Sequence, residues 1–128
     1  MRDEQVRRYA RHILLPDVGG LGQTALMVAT ALVELRESEP EAELVAATYL
    51  AAGGVGKIVL RGASSEQAAD IAHHGADSEL LFDGPGRPIA LQPRPAWWPA
   101  GRDGDATALA FWRGGLAAVH WMADIANQ

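Results

Sequence analysis

Residues 41–60, EAELVAATYLAAGGVGKIVL, encode a helix, its stop and a strand in that order. Leu44, Ala47, Tyr49, Leu50 and Ala51 recur at broadly helical spacing between Glu41 and Ala52. Gly53 and Gly54 end that helix, because glycine favours the residue just past a helix terminus. Lys57-Ile58-Val59-Leu60 then has the compact apolar pattern of a buried strand. Upstream, Ala31-Leu32-Val33-Glu34-Leu35 is a second strand candidate, so the first half of the chain reads β-α-β. The acidic stretch that follows Leu35 leaves open a neighbouring helix running through residues 31–35 instead.

Outward from this unit, Ser64 and Gln67 have capping-box spacing for a helix through about His73, and Glu79 to Phe82 predicts a third strand. From Asp83 to Gly104, Pro85, Pro88, Pro93, Pro95 and Pro99 exclude regular helix and predict a long surface crossover. A last helix from about Asp105 to Ala126 places Leu109, Trp112, Leu116, Val119 and Ala123 on one stripe, with Gly114 and Gly115 admitting a close neighbour. Toward the start, Val6, Tyr9, Ala10, Ile13 and Leu14 form an amphipathic stripe over residues 3–15 that Pro16 closes. A glycine-punctuated link, Val18 to Gly22, precedes a short helix from about Gln23.

The 128 residues fit one domain. Apolar residues at 48% and charged residues at 21% supply one core and a solvated surface. A net charge of −5 argues against nucleic acid and anionic membranes as partners, since polyanions need a basic surface. The absence of cysteine excludes disulfides, thiolate zinc sites and cysteine nucleophiles on this chain. Residues 1–16 lack the uninterrupted apolar segment of an export signal, and Ala106 to Ala126 is interrupted by Arg113, His120 and Asp124, so a cytoplasmic protein is expected.

Three glycine clusters invite a phosphate-binding reading: Val18 to Gly22, Ala51 to Lys57, and Phe82 to Gly86. A phosphate loop follows a strand and opens a helix, whereas Gly53 to Gly56 ends a helix and enters a strand. Ile58 also stands where a Walker loop needs Ser or Thr, so caps and turns are the reading for all three. His73 and His74, adjacent on a helix, point about 100° apart and cannot share a metal as an i, i+4 pair would. His120 is expected in the core or an interface, with Asp124 at i+4 as a conceivable hydrogen-bonding partner for catalysis. Trp97 and Trp98, between Pro95 and Pro99, either contact a partner through rigid aromatic surface or lid the core beneath the crossover.

Residues 8–23, RYARHILLPDVGGLGQ, and residues 49–60, YLAAGGVGKIVL, resemble in order two segments of the ThiF/MoeB/HesA family of ubiquitin-activating-enzyme-like adenylyltransferases. Residues 106–126, ATALAFWRGGLAAVHWMADIA, resemble the glycine-containing helix near that family's end. The resemblance implies a single truncated domain over residues 1–128: α/β, a reduced Rossmann-like β-α-β unit with an N-terminal interface helix and a long C-terminal helix. Members adenylate the C-terminus of a ubiquitin-like or sulfur-carrier protein, or of a peptide, with ATP and magnesium.

This sequence departs from the family where that chemistry resides. The nucleotide loop is replaced by residues 35–43, and Glu34 to Glu43 carries five acids against Arg36 alone. The ribose-binding Asp after the second strand is replaced by Leu60-Arg61-Gly62, and the downstream Asn-Leu-x-Arg-Gln segment, catalytic lysine, magnesium-binding Asp and zinc-binding cysteines have no counterpart. The resemblance therefore implies a non-catalytic protein with no cofactor or metal. In the family the RYxRH helix lies at the dimer interface, and Arg11 corresponds to an arginine that reaches the neighbouring subunit's nucleotide. The expected interface comprises Arg8, Tyr9, Arg11, His12, Trp97 and Trp98, and the expected partner is a second copy or a full-length ThiF/MoeB-like enzyme. Arg8 and Arg11 also have the simpler reading of a solvated, salt-bridged helix face. The alternative function is a binding module for a carrier protein, peptide or small metabolite, with the Pro/Trp-rich crossover as its platform.

Overall fold

A computed structural model describes residues 20–36, 40–75, 77–91, 93–97 and 105–127. The elements are α1 (Gly20–Val28), β1 (Thr30–Glu34), α2 (Glu41–Ala52), β2 (Lys57–Arg61), α3 (Ser65–Ala72), β3 (Glu79–Leu81), β4 (Arg87–Pro88) and α4 (Asp105–Ala126). The four strands form one parallel sheet in the order β3-β2-β1-β4. The domain is α/β and Rossmann-like, with a long C-terminal helix. The expected N-terminal interface helix lies outside the described residues.

Parallel strands need crossover connections, and α2 and α3 supply them between β1, β2 and β3. β1 pairs with β2 from Thr30↔Lys57 to Glu34↔Arg61, so both strands end level. In β2 the consecutive residues Ile58, Val59 and Leu60 are all fully buried, as an internal parallel strand requires. Alternation places Ala31, Val33, Ile58 and Leu60 on the face that meets the helices, where they join Leu26, Leu50, Val55 and Met122 in one core. The capping box forms as expected: Ser64 Oγ accepts from the Gln67 N–H at 3.1 Å, and the Gln67 side chain accepts from the Ser64 N–H at 2.9 Å.

Helix α2 occupies Glu41–Ala52, the bounds read from its spacing and its glycine stop. Its buried residues run around most of the circumference, because α2 lies between the sheet and α4. The α2–α4 contact is the most extensive between any two helices and is built from small residues. A Cβ on Gly114 would collide with the carbonyl of Ala42, whereas one on Gly115 would meet only the Tyr49 ring at ordinary contact, 3.7 Å from Cε2.

Three expectations are corrected. Helix α1 begins at Gly20, so two glycines expected in a link are helical instead. Residues 83–104 are not uniformly irregular: Arg87 and Pro88 form β4 against Ala31 and Leu32. Ile89 N donates to Leu32 O at 3.1 Å, and the Trp121 indole N–H donates to Arg87 O at 3.0 Å, which ties this short strand to α4. Finally, the buried face of α4 is Ala110, Gly114, Ala117, Ala118, Trp121 and Met122, and the expected stripe from Leu109 to Ala123 is only half-buried. Small residues win the inner position because only they permit the close approach to α2.

The two adjacent glycines give opposite expectations. Gly114→Ala forces α2 and α4 apart and is expected to destabilise the fold by about 1 to 3 kcal/mol. Gly115→Ala adds helix propensity without a clash and is expected to stabilise by up to about 1 kcal/mol. Equilibrium urea unfolding of the two variants checks both signs.

Candidate functional site

In an open parallel sheet a crevice opens beyond the carboxyl ends of the strands where successive crossovers turn to opposite sides. Here the chain runs from β1 outward to β2 and β3, then returns to place β4 on the other side of β1. The switch point therefore lies between β1 and β4. A cleft of about 320 Å³ is found there. Leu32 and Glu34 of β1 line it, with Arg36 just beyond the strand. Pro88, Ile89 and Leu91 bring the crossover to its opposite wall. Glu43, from the first turn of α2, and Arg113, from α4, complete it.

The site carries two carboxylates and two guanidinium groups on apolar walls. Glu34 Oε2 accepts from Arg36 Nε at 2.9 Å and lies 2.9 Å from Arg36 Nη2. Its Oε1 lies 3.4 Å from Arg61 Nη1, at the matching position of β2. Arg61 extends the chain of charges outward, donating to Gly84 O at 3.1 Å with Asp83 at 3.7 Å. The hydrogen bond from Arg36 is the largest influence and holds the Glu34 carboxyl below the usual glutamate range; desolvation opposes it, and the positive charges of Arg36 and then Arg61 add to the lowering. The same bond raises the Arg36 guanidinium further.

Helix α2 points its N-terminus at this cleft. The positive end of a helix ordinarily attracts an anion, and here the helix supplies its own: Glu41 and Glu43 occupy the first turn, behind Pro40, which offers no side-chain cap. Glu43 is only 2% exposed. Its depth follows from its neighbour, since Ala42 is pressed against Gly114 of α4. Arg113, next to Gly114, is carried to the same cleft by that contact.

Of the residues expected to form an interface, Arg8, Tyr9, Arg11, His12 and Trp98 lie outside the described residues. Trp97 is 71% exposed and meets Trp112 of α4 edge to face, with ring centroids 6.4 Å apart and planes at 83°. It thus rests on the last helix and leaves most of its surface to solvent. The glycine clusters serve as helix interior, caps and turns among the described residues: Gly54 and Gly84 have positive φ, and Gly56 packs against the Met27 carbonyl. His74 Nδ1 lies 2.9 Å from Asp70 O, and His73 caps α3. His120, expected in the core or an interface, is exposed on α4, as is Asp124. Among the described residues no group of three or more His, Asp or Glu is placed to hold a metal ion.

Sequence reasoning noted the acidity of residues 34–43 but missed Arg113 and the cleft walls. The signal lies in β4, and two residues inside a proline-rich stretch carry no strand periodicity.

The Glu34–Arg36 pair sets a pH expectation. Because the folded-state carboxyl is depressed, the pair's stabilising contribution is present at neutral pH and is lost as pH falls through that lowered value. Arg36→Ala is expected to move the Glu34 midpoint upward toward the ordinary glutamate range. A carbon-detected NMR titration of the Glu34 carboxyl checks the direction.

No family model, curated protein or solved structure matches the chain.

Proposed function

We propose that this chain is a non-catalytic, ThiF/MoeB-like protein that dimerises with a full-length adenylating enzyme and supports its activity. The observation that carries the reading is the electrostatics of the switch-point cleft. A Rossmann-like sheet positions a nucleotide phosphate at the end of its first strand, facing a helix N-terminus. In this chain that position holds Glu34 and Glu43, with Glu41 in the same helical turn. Arg36 and Arg113 balance the two cleft carboxylates and leave no net positive charge to hold a triphosphate. Adenylyl transfer depends on preorganised donors and cations around the phosphates, so such a cleft disfavours it.

The sequence resemblance supports the partner role. YLAAGGVG closes α2 and leads into β2, as its counterpart does in the family. RYARHILLP supplies Arg11, and an arginine presented across a dimer interface stabilises transferring phosphoryl charge with its planar, permanently charged fork. No helix among the described residues is long and apolar enough to cross a membrane, which accords with a partner in the cytoplasm.

A second reading, a binding module for a carrier protein, peptide or small metabolite, is favoured by one observation: the Pro-rich crossover itself lines the cleft and carries the exposed Trp97.

Size-exclusion chromatography with light scattering, alone and with a full-length relative from the same organism, tests the main reading. A mixed complex is expected, and Arg11→Ala is expected to lower its adenylation rate by about tenfold or more. ATP–pyrophosphate exchange by the isolated chain overturns the reading. Carrier binding that is lost in a Trp97→Ala, Trp98→Ala double variant, with dimerisation intact, establishes the second reading in its place.

A further inference from the structure

We infer that the outer edge of β3 takes an extended, basic segment of another polypeptide as a fifth strand of the sheet. This edge lies at the far side of the sheet from the cleft, and the inference does not rest on a partner enzyme. Three observations define the edge and its occupant.

The first is an open main chain. β3 ends the sheet and pairs with β2 on its inner side alone. The Glu79 N–H is turned inward and donates to Gly56 O at 2.8 Å, so strand alternation turns the N–H and C=O of Leu80 outward. No main-chain partner meets them among the described residues. An exposed strand edge is the template on which an extended peptide adds, through hydrogen bonds that ask nothing of its sequence.

The second is apolar surface beside that edge. Leu80 and Leu81 are half-buried, and Phe82, which follows directly, is 50% exposed. β3 is only three residues long, so main-chain bonds alone give a weak grip. An aromatic ring open to solvent at the end of the strand adds side-chain contact to them.

The third is charge of one sign. From Gly62 to Gly86 the chain carries Glu66, Asp70, Asp77, Glu79 and Asp83 and no lysine or arginine. All five acids are exposed. Glu66 and Asp70 lie on α3, the crossover that leads into β3, and the other three lie in or beside the strand itself. The nearest cations of the sheet, Lys57 and Arg61, belong to β2, one strand inward, and Arg61 is shared with Glu34. Pairing β3 with the β3 of a second copy sets acid against acid and is disfavoured. A strand that carries lysine or arginine meets opposite charge, and this selects a basic segment over a second copy.

Hydrogen exchange at the Leu80 amide, followed by NMR as the full chain is titrated with an acetylated, amidated seven-residue peptide of alternating lysine and valine, tests the inference. Saturable binding with a Kd below about 1 mM is expected, with exchange at Leu80 slowed at least about tenfold. The fully N-methylated peptide keeps the charges but cannot donate main-chain hydrogen bonds, and is expected to bind at least about tenfold more weakly. A Glu66→Gln, Asp70→Asn, Glu79→Gln variant, altered only at exposed positions, is expected to weaken the original peptide several-fold. No saturable binding overturns the inference. Equal binding of the N-methylated peptide, or binding that leaves Leu80 exchange unchanged, is charge attraction without strand addition and also overturns it, as does undiminished binding by the variant. Leu80 protection that rises with protein concentration in the absence of peptide gives the edge to a second copy and likewise overturns it.

Discussion

The close seating of Gly114 on the Ala42 carbonyl is the constraint on which the rest of the molecule depends. It brings α4 onto α2 with no side chain between the two backbones. Ala46, Ala117 and Ala118 bury around it, and Met122 and Leu50 fill the core beside it. The residues next to the contact inherit their positions: Glu43 follows Ala42, and Arg113 precedes Gly114. One steric fact thus builds the core and places two of the four charges of the cleft. Interiors are packed at crystal-like density, so such a contact has little room to yield.

The sheet supplies the other two charges. β1 and β2 end in register, which sets Glu34 beside Arg61, and the chain beyond β1 returns Arg36 to the same carboxylate. The return of the crossover as β4 turns the end of β1 from a bare edge into a cleft wall. Architecture alone explains why a crevice exists here; the side chains decide what it admits.

Much of this fold was legible. The bounds of α2 could be read because helical spacing, a double-glycine stop and a strand follow one another without ambiguity. The α3 cap could be read because Ser64 and Gln67 satisfy each other's backbone partners locally. The facing of α4 could not. Bulk marks Leu109, Trp112, Leu116, Val119 and Ala123 as the core stripe, but the closest helix contact selects for the absence of bulk, and the alanine and glycine face goes inward. β4 was illegible for a related reason: a two-residue strand is held by Leu32 O and by Trp121, both distant in sequence. Without β4 the strand order and the switch point are invisible, so the cleft was hidden while the acidity of Glu34 and Glu43 was plain.

The proline in β4 has a consequence for association. Ile89 turns its N–H inward to Leu32, so strand alternation turns the main-chain nitrogen of the preceding residue outward, to the side of β4 where no further strand lies among the described residues. That residue is Pro88, and it has no hydrogen to offer. An incoming strand seeking to extend the sheet past β4 finds a missing donor at the point of first contact. A proline at this edge disfavours strand addition there.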